Sequence, residues 1–126
     1  MKLERVIETC LYVDNLDRAA NFYEQVLGLS ALTSDARFRA YDVGGKSVLL
    51  LFRRGATLET VRMPGGTIPP HDGHGPLHMA FAVAADELPK CEQRLRDQSV
   101  RPVPTAVPGN GFGRHQPPSP STCARH

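Results

Sequence analysis

Two side chains able to bind a metal recur at matched places in this chain, seventy residues apart. Glu8 lies in Val-Ile-Glu-Thr-Cys-Leu-Tyr-Val (6–13), an acidic group within an apolar run, followed by Asp14-Asn15 and a helical pattern. His78 lies in Pro-Leu-His-Met-Ala-Phe-Ala-Val (76–83), followed by Asp86 and a second helical pattern. A carboxylate with an imidazole suits Zn, Fe, Mn, Co or Ni, and one pair does not choose among them. The period is too long for a solenoid, so the repeat reads as two copies of a half-domain with a site built between them. Each residue has a plainer alternative: a cross-strand ion pair for Glu8 and a hydrogen-bonded core histidine for His78. Their matched position in the repeat favours the site reading.

His71, Asp72 and His74 form a second cluster, and with His78 they spell His-x2-His-x3-His. His74 and His78 would share a face only on a helix, which Gly73, Gly75 and Pro76 prevent. The segment reads instead as a loop over the mouth of a pocket, where His71 or His74 touches substrate; the alternative is a solvated polar turn. Tyr12, Leu50 and Phe52 share one parity and are expected to line that pocket, although plain packing of the sheet's inner face explains Leu50 as well. Arg53-Arg54 reads as a solvated strand end able to clamp a carboxylate.

The elements that must position these groups follow from periodicity. In Val6–Val13, Ile7, Thr9, Leu11 and Val13 take one face and Glu8, Cys10 and Tyr12 the other. Asp14-Asn15 offers an N-cap, and Leu16, Ala19/Ala20, Tyr23 and Val26/Leu27 recur at helical spacing up to Gly28. This helix should cover the Ile7/Leu11/Val13 face, which leaves Glu8 on the opposite side of the sheet. Ser30–Ser34 reads as a short strand, and Arg37–Val43 with Ser47–Arg53 as a hairpin turned by Gly44-Gly45-Lys46. The first half is therefore β-α-β-β-β. Residues 54–76, dense in Pro and Gly, are expected to hold no regular structure.

The second copy opens with a strand at Leu77–Val83, its His78, Ala80 and Ala82 facing away from the helix. Asp86 is expected to cap that helix, Leu88, Cys91 and Leu95 form its buried stripe, and Pro89 is tolerable in the first turn. After Ser99 the pattern collapses. The windows where three more strands would fall, near 102–106, 109–115 and 119–125, are crowded with Pro and Gly and make poor central strands. Residues 101–126 read as an atypical Pro/Gly-rich tail, a linker or disordered segment.

A chain of 126 residues predicts one domain. Its 40% apolar and 22% charged residues are ordinary for a globular protein. A net charge of +2 with scattered Lys and Arg argues against nucleic acid as a partner. The longest apolar stretch, Val48–Phe52, cannot span a bilayer, and the N-terminus lacks a secretory h-region. Cys10, Cys91 and Cys123 are odd in number and lack zinc-ribbon spacing, so reduced thiols in a cytoplasm are expected.

The run from Glu8 to Leu29, with its Asp-x-Leu-x-Arg-Ala, Phe-Tyr and Leu-Gly-Leu strings, resembles the opening of the vicinal oxygen chelate superfamily. That superfamily comprises glyoxalases, bleomycin resistance proteins and extradiol dioxygenases. Gly75-Pro-Leu-His-Met-Ala-Phe81 is similar to the start of its second module, and the resemblance covers residues 4–99. It implies an α+β fold of paired βαβββ modules whose curved sheets form a cup around a divalent metal. The expected layout is a domain at 1–100, with module one at 4–54, a connector at 55–76 and the start of module two at 77–100. The second module is expected to be incomplete. By this resemblance Glu8 and His78 match the first-strand metal ligands. Leu50 stands where many glyoxalase I enzymes carry a carboxylate, and the second module's usual final glutamate string is missing. A frameshift would also produce so abrupt a departure after Ser99.

Two functions compete. One is a metal-dependent lyase, isomerase or dioxygenase in which the ion chelates a small oxygen-bearing substrate as a Lewis acid. The other is a metal-free protein that sequesters a flat or aromatic antibiotic-type ligand against Tyr12, Leu50 and Phe52. An inactive, truncated family member is a third possibility. The bare sheet edge of an incomplete module predicts a homodimer.

Overall fold

In the first half of the chain, alternation of side chains along strands decides what the sheet buries and what it leaves open. The computed structural model describes residues 1–100 and the backbone of Ser121–Arg125. The chain divides into two units, Met1–Leu77 and His78–His126.

The first unit opens with β1 (Glu8–Val13) and α1 (Leu16–Asn21), then β2 (Ser30–Ser34), β3 (Phe38–Val43) and β4 (Ser47–Arg53). This is the expected β-α-β-β-β order, and the strand bounds fall within two residues of those read from the sequence. The sheet order is β1-β4-β3-β2, with β1 and β4 parallel and the other pairs antiparallel. Asn15 caps α1 by accepting from the Arg18 N–H at 2.9 Å.

The helix then departs from expectation. Phe22–Val26 is a π-helical turn, closed by the Leu27 N–H donating to the Phe22 carbonyl at 3.1 Å. Tyr23 and Val26 of this turn are both buried. Gly28 follows at φ +72°, the left-handed stop that the sequence suggested.

The core lies between this helix and one face of the sheet. Leu11 of β1, Tyr41 of β3 and Leu49 and Leu51 of β4 are buried against it, with Leu16, Ala20, Tyr23 and Val26 from the helical side. Tyr41 and Leu51 are completely inaccessible. The Tyr41 hydroxyl donates to Glu24 Oε1 at 2.9 Å, which satisfies a phenol that would be costly to bury alone. Ile7, expected on this face, precedes β1 and is exposed.

The connector also differs. Val61–Met63 (β5) and Gly66–Ile68 (β6) form an antiparallel hairpin with Met63 opposite Gly66. The density of Pro and Gly does not forbid structure here because Pro64-Gly65 is the two-residue turn itself, where a fixed φ and a flexible residue help rather than hinder.

The second unit repeats the strand–helix opening. Its strand β7 is Ala80–Val83, shorter than the expected 77–83, and α2 runs Leu88–Asp97. Asp86 does not cap α2. It sits inside a single 3₁₀ turn, Ala85–Glu87, that leads into the helix, and no side chain caps either element. Pro89 occupies the first turn as expected, and Leu95 is the residue this helix buries. Ser121–Arg125 (β8) pairs antiparallel with β7, Ala82 opposite Thr122. At those five residues the structure departs from the linker reading, since backbone pairing does not require an alternating pattern. The rest of the expected tail, 101–120 and 126, lies outside the described residues. Among the described residues no helix is long and apolar enough to cross a membrane.

Candidate functional site

Register builds the inner face of the first unit. Cys10 lies beside Leu50 and Tyr12 beside Phe52 along the β1–β4 pair, and Phe38 of β3 stands on the other side of Phe52. Alternation turns all of these away from the face that carries Leu11, Leu49 and Leu51. They line a cavity of about 510 Å³, with Glu8 at the start of β1. That volume falls in the range of roughly 300–1,000 Å³ usual for small-molecule pockets.

One wall is aromatic. Phe52 stacks with Tyr12 at 6.0 Å between centroids and 23°, and with Phe38 at 5.5 Å and 29°. The near-parallel rings offer a flat apolar surface. The β5–β6 hairpin and the loop after it supply further lining through Val61, Met63, Ile68 and His71.

His71 is held from several directions. Its N–H donates to the Thr57 carbonyl at 3.0 Å, and the buried Thr57 hydroxyl donates back to the His71 carbonyl. Downstream, Arg54 Nε donates to the Gly73 carbonyl at 3.1 Å, and the Gly55 N–H donates to the Asp72 carboxylate at 3.3 Å. The ring meets Phe52 edge-on at 4.7 Å and 76°, and its Nδ1 lies 2.7 Å from the Tyr12 hydroxyl. Gly73 packs so closely on the Tyr12 ring that a Cβ there would sit 2.7 Å from Cδ2.

Two groups of the cavity hold their protons more tightly than usual, Cys10 and Tyr12. Burial, and then the Glu8 carboxylate, push the Cys10 thiol up, so at neutral pH it is a protonated, unreactive thiol. Burial pushes the Tyr12 phenol up as well, with smaller contributions from Cys10 and Asp72. The charged lining is Glu8, Glu59 and Arg37, and the Arg37 guanidinium is already paired with Asp35 at 3.1 Å.

The structure thus brings together Glu8, Tyr12, Leu50, Phe52 and His71. His74 is exposed and does not line the cavity. His78 belongs to the second unit, where it is exposed and precedes β7 rather than lying within it. Sequence reasoning missed Phe38, Thr57 and the hairpin. Phe38 was within reach: a three-residue turn at 44–46 fixes Val43 opposite Ser47 and so Phe38 opposite Phe52. Thr57 carried no signal, because its role is a hydrogen bond to a distant backbone carbonyl.

A family model described as the Glyoxalase/Bleomycin resistance protein/Dioxygenase superfamily matches residues 5–114. No curated protein matches the sequence. Among solved structures, the chain is similar to a lactoylglutathione lyase from Agrobacterium tumefaciens, at 27% identity and a TM-score of 0.68. That match covers 79% of this chain and 73% of the other. It also resembles an integron cassette protein from V. cholerae, at 22% identity and a TM-score of 0.59, over 88% and 80% of the two chains. A glyoxalase/bleomycin resistance protein/dioxygenase from Nocardioides matches at 19% identity and a TM-score of 0.55, over 78% and 64%. These last two likenesses concern the fold.

Proteins of this kind commonly bind divalent metals. Among the described residues, however, no three His, Cys, Asp or Glu side chains are grouped to hold one. Leu50, at the centre of β4 beside Cys10, offers only hydrocarbon. The described residues alone do not fit a metal centre. The β-α-β-β-β module, its open aromatic face and the match over most of the chain lead to one conclusion: this chain belongs to the Glyoxalase/Bleomycin resistance protein/Dioxygenase superfamily.

Proposed function

We propose that this chain binds a small, ring-bearing molecule in the cavity of its first unit, with Tyr12, Leu50, Phe52 and His71 as contact residues and His74 on the adjoining loop. The observation that carries this reading is the aromatic wall of Tyr12, Phe52 and Phe38 in a cavity of about 510 Å³. A flat ligand gains both apolar burial and ring stacking there. Titration with naphthalene, followed by two-dimensional NMR, is expected to move the amides of β1, β4 and residues 57–71 together. Phe52→Ala should weaken binding about tenfold, the loss of one stacking partner plus its buried area. Shifts confined to other residues, or none, would remove the proposal.

A second reading is favoured by Glu8, which lines the cavity from the first strand of the module. Here a divalent metal (Zn, Fe, Mn, Co or Ni) binds to Glu8 and His78, and the chain performs lyase, isomerase or dioxygenase chemistry on an oxygen-bearing substrate. Further donors would come from His71 or His74, from water, or from the partner in a homodimer. Metal analysis of the purified chain tests this. About one ion per chain, lost in His78→Ala and kept in Leu50→Ala, supports it; a metal-free chain that still binds naphthalene leaves the first reading alone. The cysteine usage fits a reducing cytoplasm.

A further inference from the structure

His71 does more than fill the cavity wall. Its Nδ1 is engaged by Tyr12 at 2.7 Å, and its Nε2 has no hydrogen-bond partner among the described residues. The ring is only half-buried, and among the described residues no polar side-chain atom is both buried and unsatisfied. Nε2 is therefore reachable, on a ring that lines the cavity.

The proton positions follow from acidity. A phenol is a far stronger donor than a neutral imidazole N–H, and among the described residues the Tyr12 hydroxyl has no other acceptor. The phenol therefore donates to Nδ1, and the single proton of the neutral ring resides on Nε2. The backbone clamp between Thr57 and His71 holds the residue in place, so the donor needs little reorganisation before a ligand arrives.

Charge then narrows the ligand. The lining carries the carboxylates of Glu8 and Glu59 against one cation, Arg37, whose guanidinium is paired with Asp35. An anionic ligand meets net repulsion, whereas a neutral carbonyl oxygen can accept from Nε2–H without that cost. We propose that His71 is the specificity-determining donor of the cavity, fixed by Tyr12 in its Nε2–H form, and that it selects neutral planar aromatic molecules bearing a carbonyl oxygen. This rests on the cavity being the ligand site.

A matched pair of probes, 1-indanone and indane, shares one skeleton with and without the carbonyl. The full chain should bind 1-indanone about tenfold more tightly than indane, the worth of one hydrogen bond to an otherwise unpaired donor. His71→Phe keeps a ring in the wall and should bring that ratio to about one; the ratio of the two probes, not the affinity for indane, is the readout. Long-range proton–nitrogen NMR of the wild-type chain should show His71 Nδ1 as the unprotonated nitrogen, a readout that needs no variant. Equal binding of the two probes by the wild type overturns the proposal and leaves the cavity reading intact. So does a preference that survives His71→Phe, or a proton on Nδ1. Failure of both probes to bind overturns the cavity reading and this proposal together.

Discussion

Gly73 shows how one missing side chain can fix the geometry of a site. A Cβ at this position would lie 2.7 Å from Tyr12 Cδ2 and 3.1 Å from Cε2. The obstacle is a ring stacked on Phe52 and bonded to His71, so it cannot simply swing away. Gly73→Ala is expected to lift the 71–74 loop, break the Tyr12–His71 hydrogen bond and cost about 1–3 kcal/mol in overpacking. Chemical denaturation measures the cost, and the NMR signal of the His71 ring reports the broken bond. An unchanged midpoint with an intact bond would show the loop to be more compliant than this packing implies. Gly44 makes a control: a Cβ there meets nothing within 4 Å, and only its φ of +63° resists substitution. Of the cavity-lining residues, Tyr12, Leu50 and Phe52 were legible because parity along a strand is a local property. The Tyr12–His71 bond was not, since it spans 59 positions and depends on how the loop returns.

At the scale of elements, β4 holds the first unit together. It lies between β1 and β3, buries Leu49 and Leu51 on one side, and presents Leu50 and Phe52 on the other. Leu51→Ala should destabilise the protein by about 2–5 kcal/mol, because a completely buried leucine leaves a cavity its neighbours cannot fully close. Leu50→Ala, on the open face, should cost clearly less, and thermal unfolding of the two variants makes the comparison. Equal losses would mean that the two faces are packed alike. These strands could be read from the sequence because period two, bounded by turn residues, has few alternatives. The β5–β6 hairpin was missed because Pro and Gly break long elements and turn short ones, and composition does not say which. The π turn at Phe22–Val26 has no compositional mark at all, and the apolar spacing there fits an ordinary helix equally well.

Across the whole molecule, buried phenols set an upper limit in pH. Burial pushes the Tyr23 hydroxyl up to about 12 from a usual value of 10.0. Tyr41 is raised too, by burial first and then by its hydrogen bond to Glu24. Both groups favour the protonated form in the folded state. Below pH 10 the folded and unfolded chains are equally protonated here, and the contribution to stability is fully present. Above pH 10 the unfolded chain releases protons that the folded chain retains, so stability falls as pH climbs toward about 12 for Tyr23. The melting temperature should decline across that window, and Tyr23→Phe should flatten the decline. A melting curve independent of pH up to 12 would contradict the assignment.

The parallel pairing of β1 with β4 also says something about the order in which the cavity comes into being. β3 and β4 are joined by a three-residue turn, so their ladder can close quickly and locally. β1 must find β4 across forty residues, Glu8 meeting Val48, and that loop entropy has to be met before any contact rewards it. Glu8, Cys10 and Tyr12 are therefore expected to join a surface that Leu50, Phe52 and Phe38 form first. Until then a nascent chain shows its ring-lined face to whatever is nearby. A ligand of the kind proposed above would then meet part of the cavity's lining before folding is complete.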